Sequence, residues 1–172
     1  MNQNKQIEVG NMSKNNIENV FQLVRLNQFE SLRKEINEDN VNEFINEYHQ
    51  NLLQEAIAHS KYEILAYLMY CNIDVNHSDK DGKTPLHYAT AHNDIRSTQL
   101  LLNEDTIEIN KKDIYGNNAL WVAVFNARGN YNIVKLLKQH NADSNSKNQN
   151  NKSPLDFAKQ IGDEEMVKIL EV

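Results

Sequence analysis

Residues 79–89 read DKDGKTPLHYA, and this stretch decides the fold because it recurs along the chain. In the same frame, residues 113–123 read DIYGNNALWVA and residues 148–158 read NQNNKSPLDFA. A weaker copy, NLLQEA, occupies residues 51–56. A sequence that repeats at a nearly fixed distance is typical of a solenoid, in which similar units stack one on another.

The apolar residue near the middle of each copy gives the length of the unit. Successive members of this set are separated by 33, 33, 34 and 35 positions: Val20, Leu53, Leu86, Leu120 and Leu155. One unit of this size cannot bury its apolar stripe alone, so neighbouring units must stack to form a continuous core. Stability is then a sum of terms within units and between adjacent units.

Two features of the copies predict where helices begin and how closely they pack. Thr84 precedes Pro85 and Ser153 precedes Pro154. A hydroxyl group can cap free backbone N–H groups, and proline is tolerated in the first turn of a helix. A small residue, which allows stacked helices to approach closely, follows at one position of every copy: Ala56, Ala89, Ala123 and Ala158.

The pattern Asp-x-x-Gly-x-Thr-Pro-Leu-His-x-Ala at this period resembles the ankyrin repeat, a β-turn followed by two antiparallel helices. The resemblance implies an all-α fold, a solenoid of stacked helix-turn-helix units joined by β-turn or hairpin loops. It covers residues 17–172 as a single domain, after a disordered or frayed leader of residues 1–16. The expected units are an N-terminal cap (17–45), three internal units (46–78, 79–112 and 113–147) and a C-terminal unit (148–172).

The chain departs from the family pattern at its turns. Where the family has glycine after a helix, this chain has asparagine or aspartate, which tolerate left-handed backbone better than other non-glycine residues. These positions are Asn72, Asn93, Asp105 and Asn141. Thr106 adds one residue between units, and residues 126–130 contain two more within the fourth unit. Insertions in solenoids often map to a binding face, and neutral drift in a surface loop is the alternative.

Composition excludes several classes of protein. A formal charge of −6 over 172 residues lacks the positive potential that non-specific phosphate binding uses, so nucleic acid is not an expected partner. No run approaches about 18 apolar residues and the N-terminal sequence has no apolar core, so we expect neither a membrane span nor a secretory signal. A single cysteine, Cys71, suits a reducing cytoplasm. The sequence leaves open whether Met1 or Met12 is the first residue.

No candidate catalytic or metal site emerges from the histidine and cysteine residues. The resemblance assigns His87 to hydrogen bonds that brace adjoining turns. His59 and His92 occupy the same frame of successive units, but two imidazoles without a carboxylate or thiolate partner make a poor zinc site. Cys71 lacks a neighbouring cysteine, and no phosphate-binding or hydrolase motif occurs. We therefore expect a protein that is not an enzyme and that binds neither metal nor cofactor.

An extended surface without an active site points to binding as the function. In the ankyrin family, partners usually meet the concave face, which consists of the β-turn tips and the exposed side of the first helices. Carried onto this chain, the resemblance gives candidate partner-binding residues: Tyr48, His59, Lys80, Lys83, His92, Lys112, Ile114, Tyr115, Asn117, Trp121, Phe125 and Asn126. Aromatic residues are common interface anchors and converge on the fourth unit, so we expect the interface there, although each alone could pack against a neighbouring unit. The lysines favour an acidic partner surface.

Three hypotheses for the function remain. The first is a cytoplasmic protein, monomeric when free, that occludes another protein. Stand-alone ankyrin-repeat proteins of this length include immunity proteins that neutralise a cognate toxin, which is the specific expectation. The second is an effector or scaffold that recruits a host or housekeeping protein without inhibiting it. The third is an accessory factor to an enzyme, for which His59 and His92 are the only sequence support.

Overall fold

The computed structural model describes residues 13–172, and these residues form ten α-helices and one 3₁₀ turn. The expected all-α solenoid class is confirmed, since one isolated antiparallel bridge, between Ile45 and Asn51, is the sole β pairing in this part of the chain. The helices are α1 (Lys14–Arg25), α2 (Phe29–Glu35), α3 (Leu52–Ala58), α4 (Tyr62–Tyr70), α5 (Pro85–Ala91), α6 (Ile95–Leu102), α7 (Ala119–Asn126), α8 (Asn132–Gln139), α9 (Pro154–Ile161) and α10 (Glu164–Glu171), and the 3₁₀ turn is Val41–Glu43.

The helices lie in two layers. The first helices of the units, α1, α3, α5, α7 and α9, contact one another in that order and form the inner layer. In the outer layer α6 packs on α8 and α8 on α10. The core runs continuously between the layers: the anchors Leu53, Leu86 and Leu120 are at most 1% exposed, whereas Leu155, in the unit formed by α9 and α10, is half-buried.

Helix α1 begins three residues before the expected start of the domain. Ser13 caps it by accepting a hydrogen bond from the backbone N–H of Asn16. Residues 14–16, expected in the leader, therefore form the first turn of a helix. The rest of the expected leader, residues 1–12, lies outside the described residues.

The loops before α3, α5, α7 and α9 share one hydrogen-bonded turn, which we call the tip. The tips are residues 46–50, 79–83, 113–117 and 148–152. In the tip of the third unit, the N–H of Asp79 donates to the carbonyl of Lys83 at 3.0 Å, and Oδ1 of Asp79 accepts from the N–H groups of Asp81 and Lys83 at 2.9 and 2.8 Å. The other three tips repeat these bonds around Asn46, Asp113 and Asn148.

Adjacent tips are joined by backbone hydrogen bonds. The N–H of Ile114 donates to the carbonyl of Asp81 at 2.9 Å, and the neighbouring tips are joined in the same way. The close approach explains Gly82, which has φ of +74° and at which a Cβ atom would lie 2.9 Å from the backbone nitrogen of Ile114. A side chain there would push the tips of the third and fourth units apart.

A second row of hydrogen bonds joins adjacent units at the segments that connect one unit to the next. Asparagine side chains spaced 34 residues apart make these bonds. Asn42 accepts from the N–H of Asp74 at 2.7 Å, Asn76 from Glu108 at 2.8 Å and Asn110 from Asp143 at 2.8 Å. Asparagine is therefore a structural residue in this chain, because its short amide side chain satisfies backbone groups of the next unit.

The expectation of left-handed backbone after the helices is confirmed at three positions and wrong at one. Asn72, Asn93 and Asn141 have φ of 59°, 54° and 63°. Asp105 does not adopt positive φ, because α6 ends at Leu102, Asn103 follows in right-handed backbone with φ of −82°, and the longer connection turns without it.

The insertion in the fourth unit lengthens the turn between α7 and α8. Arg128 and Gly129 take positive φ of 46° and 84°, and Ala127 is buried at the end of α7. This turn follows the C-terminal end of α7, whereas the tip precedes its N-terminal end. The extra residues therefore lie at the end of the unit remote from the tips.

Candidate functional site

The surface that corresponds to the expected concave face is formed by the tips and by the exposed side of α3, α5, α7 and α9; we call it the inner face. It exposes large apolar side chains, most of them in its C-terminal half. At the tips, Tyr48 and Tyr115 are 61% and 54% exposed, and Ile114 is exposed beside Tyr115. The structure therefore places these three residues at the surface and not against a neighbouring unit.

Three rings meet between α7 and α9, and we call Trp121, Phe125 and Phe157 the aromatic cluster. The ring centroid of Trp121 lies 5.4 Å from that of Phe125 and 5.6 Å from that of Phe157, and the two phenylalanine rings are 5.7 Å apart. Phe125 remains 57% exposed within this cluster, and Ile161, one turn beyond Phe157, is also exposed. Sequence reasoning did not single out Phe157, because only the stacking of α9 on α7 brings it to Trp121.

Trp121 occupies a position that joins units elsewhere in the chain. The equivalent residue of the second unit, Gln54, donates from Nε2 to the carbonyl of Lys83 in the next tip at 2.7 Å. His87 of the third unit reaches the carbonyl of Asn117 at 3.0 Å in the same way. Nε1 of Trp121 is buried and has no hydrogen-bond partner among residues 13–172. The junction between the fourth and fifth units thus lacks this bond.

His87 has the bracing role that the resemblance implied, which confirms that expectation. Its Nδ1 accepts from the backbone N–H of Thr84 at 3.1 Å and lies 2.8 Å from the hydroxyl oxygen of that residue. Its Nε2 faces the carbonyl of Asn117, which can only accept, so Nε2 carries the proton. Burial lowers the pKa of His87 below its ordinary value, which favours the neutral imidazole that these bonds require.

The N-terminal half of the inner face presents polar groups that are already paired. The guanidinium of Arg25 binds Glu55 at 2.9 Å, and His59 lies 3.5 Å from the same carboxylate. The buried carboxylate of Glu55 therefore has its counter-charge within the chain. His59 lies at the exposed edge of this network.

A similar closed network surrounds Tyr88 on α5. Its hydroxyl donates to Oδ2 of Asp79 at 2.7 Å and lies 2.5 Å from Nε2 of Gln50 in the preceding tip. Burial, followed by this bond to the carboxylate, raises the pKa of Tyr88 well above its ordinary value. The hydroxyl therefore stays protonated and links the tips of the second and third units.

The lysines of the tips are less available than the sequence suggests. Lys83 is paired with Asp81 at 2.9 Å, and this hydrogen bond raises the pKa of the lysine. Lys147 is paired with Asp156, and the bond lowers the pKa of that carboxyl group. The charges of Lys83 and Lys147 are therefore compensated within the chain. Lys80, Lys112 and Lys152 are exposed and form no ion pair with the residues from 13 to 172.

Of the remaining candidate residues, two form hydrogen bonds within the chain and one is exposed. Asn117 is committed to the scaffold, because its carbonyl accepts from His87 and its Oδ1 accepts from Asn148 at 2.9 Å. Asn126 donates from Nδ2 to the carbonyl of Val122 within α7. His92 is exposed at the C-terminal end of α5.

One histidine pair falls outside the repeat frame. The rings of His49 and His77 stack with centroids 5.1 Å apart, and each ring also contacts a backbone carbonyl. Their separation of 28 residues does not match the unit length, so the alignment of copies could not reveal them. The part of the chain that the structure describes contains no group of three or more side chains placed to hold a metal ion. Within residues 13–172, no helix is long and apolar enough to span a bilayer.

The stacked units and their exposed inner face define a helical repeat protein. A family model of ankyrin repeats, in three copies, matches residues 12–113, 53–148 and 109–171. The chain therefore belongs to the ankyrin-repeat family. Ankyrin repeats generally mediate interactions between proteins, and the family is typically non-catalytic.

Curated relatives match through part of their length. The chain is 36% identical over 92 residues to ankyrin repeat domain-containing protein 13C of Danio rerio, which covers 54% of this chain and 18% of that protein. It is 33% identical over 108 residues to a putative ankyrin repeat protein of Fowlpox virus, covering 61% and 31%. It is 32% identical over 95 residues to a probable serine/threonine-protein kinase of Dictyostelium discoideum, covering 54% and 11%. The chain thus spans less than a third of the length of each of these relatives.

Proposed function

We propose that this protein binds another protein through its inner face, with Tyr115 and the aromatic cluster at the centre of the contact. The observation that carries the proposal is the 57% exposure of Phe125 beside Trp121 and Phe157. Clustered apolar side chains at a surface mark interaction sites, and aromatic side chains dominate the energy of many interfaces.

The N-terminal half of the inner face supports the same placement by contrast. Its charged and hydroxyl groups, at Glu55 and Tyr88, are already paired within the chain. A partner there would have to compete with existing bonds, whereas a partner on the aromatic cluster would cover apolar surface that water now contacts. The gain in free energy is therefore greater at the C-terminal half.

The finer form of the proposal is an inhibitor of the immunity type, which covers the active site of a cognate toxin or enzyme in the cytoplasm. The family resemblance and the exposed inner face support it. The alternative is an effector or scaffold that recruits a host or housekeeping protein without inhibiting it. An activity assay of the bound protein distinguishes them, because only an inhibitor abolishes activity at saturating concentration.

The test is an affinity pull-down from the organism that makes the protein, followed by mass spectrometry. The Tyr115→Ala/Phe125→Ala variant should fold normally and lose the partner. The matched control is Tyr70→Ala/Ile95→Ala, which removes exposed apolar side chains of the outer layer, 73% and 43% exposed, and should retain the partner. Retention of the partner by the first variant, or its loss with the control alone, would overturn the proposal.

A further inference from the structure

The aromatic cluster sets the first requirement on a partner. Phe125 and Ile161 each expose more than half of their surface, and neither presents a polar atom. Phe157, on α9, packs its ring against Trp121 and Phe125 of α7 and fills the space between the two helices. A partner side chain that packs on this apolar surface must itself be apolar and large, because only such a group buries much apolar area without leaving a polar atom unpaired.

The charges of the tips set the second requirement. Lys80 and Lys152 stand on the tips of the third and fifth units, and Lys112 directly precedes the tip of the fourth; none of the three has an ion-pair partner in the described chain. Nζ of Lys112 donates to the carbonyl of Lys147 at 2.8 Å and keeps its charge. The carboxylates of the same tips are engaged: Asp79 and Asp113 accept backbone N–H groups of their own turns, and Asp81 is paired with Lys83.

The whole chain carries a formal charge of −6, whereas Lys80, Lys112 and Lys152 form a row of cations without ion-pair partners among residues 13–172. An acidic partner segment is attracted to this row and repelled elsewhere, which fixes where it docks. A basic segment would experience the opposite preference and would bind away from the aromatic cluster.

We infer that the partner presents an acidic segment carrying an aromatic or large aliphatic side chain, and that this side chain docks on the aromatic cluster while the acidic residues lie along the tips of the third to fifth units. This inference rests on the proposed function and names the chemistry of the partner. The N-terminal tip does not extend the site, because Glu47 there would repel acidic residues.

The experiment is a selection of random 12-residue peptides displayed on phage against the immobilised full-length chain. Selected peptides are then synthesised with phenylalanine in place of any tryptophan. The chain has a single tryptophan, Trp121, so a change in its fluorescence reports binding at the aromatic cluster. Affinity is measured by this signal at low and high salt and, with labelled peptides, by anisotropy.

We expect enrichment of Asp and Glu together with Phe, Trp or Leu, a saturable change in Trp121 emission, and affinity that falls as salt rises. Phe125→Ser and Lys112→Glu/Lys152→Glu should each weaken binding about tenfold or more. The matched control Lys34→Glu/Lys168→Glu, which changes the same charge away from the tips, should bind within about twofold of the unmodified chain.

Three other outcomes are informative. Selected peptides that alter Trp121 emission but are basic, or that bind equally well to Lys112→Glu/Lys152→Glu, would overturn the acidic partner and leave the proposed function standing. Peptides that bind without changing Trp121 emission and bind Phe125→Ser equally well would overturn both. A selection without enrichment would overturn the inference that a short segment is what docks.

Discussion

The junctions in the middle of the stack differ from the junction between the fourth and fifth units. Between the second and third units and between the third and fourth, a polar side chain at one fixed position, Gln54 or His87, donates to a carbonyl of the next tip. Between the fourth and fifth units that position holds Trp121, whose Nε1 has no partner in the described chain. The difference indicates that this position forms a hydrogen bond between units in the N-terminal part and contributes an aromatic ring to the inner face in the C-terminal part.

The polar groups of the inner face follow the same division. Glu55 and Tyr88, toward the N-terminus, have partners in neighbouring units. Phe125 and Ile161, toward the C-terminus, contact solvent. Stability and recognition are therefore concentrated in different units, and changes to one half can be expected to leave the other's role intact.

The largest effect is expected in the interior of the stack. Leu86→Ala removes a side chain that is 1% exposed and should lower the free energy of unfolding by about 2–5 kcal/mol, measured by urea titration. Leu155→Ala, at the half-buried equivalent position of the last unit, should cost less. Equal losses at the two positions would show that the last unit is as fully packed as the interior.

The next effect concerns the bond between the third and fourth units. His87→Ala leaves the Asn117 carbonyl and the Thr84 N–H without their partner and should cost about 1–3 kcal/mol of stability. The matched control is His87→Gln, since Gln54 makes the equivalent bond one unit earlier. The glutamine variant should retain most of the stability, and a loss equal to that of alanine would contradict a role for this hydrogen bond.

The same pair of proteins tests a pH dependence. Burial lowers the pKa of His87 below 6.5, so the unfolded chain takes up a proton near pH 6.5 and the folded chain only at lower pH. The contribution of His87 to stability is therefore complete above 6.5 and is lost as the pH falls toward the folded pKa. Between about pH 8 and about pH 5, the unmodified chain should lose more stability than His87→Gln. Parallel declines would mean that another group is responsible.

The smallest effect is expected at the junction between the fourth and fifth units, where Trp121 replaces the hydrogen-bonding residue. Trp121→Phe keeps an aromatic ring next to Phe125 and Phe157 and removes a buried N–H that has no partner. The loss of packed area and the loss of an unpaired donor oppose each other, so the change in stability should be within about 1 kcal/mol. Thermal unfolding of the two proteins measures it. A loss as large as that of Leu86→Ala would show that the indole holds the last unit in place.

Much of the fold follows from the sequence, because the period, the helix starts and the bracing role of His87 depend on local patterns that recur. The candidate surface follows only in part. Tyr115 and Phe125 were predictable as outward positions of the repeat. The contact of Phe157 with Phe125 depends on how α9 packs against α7, and the pairing of Lys83 with Asp81 depends on the side-chain rotamers of the tip. The repeat pattern encodes neither. Asp105 departs because the added Thr106 changes the geometry of its connection.

The tips also bear on how such a protein can change its specificity. Each tip is held by the side chain of its first residue and by backbone groups, as at Asp113. In the fourth unit, the second and third residues of the tip, Ile114 and Tyr115, join adjacent tips through their backbone groups, and neither side chain forms a hydrogen bond within residues 13–172. Selection, natural or in the laboratory, can therefore exchange those side chains for new partners while the folded frame is inherited unchanged.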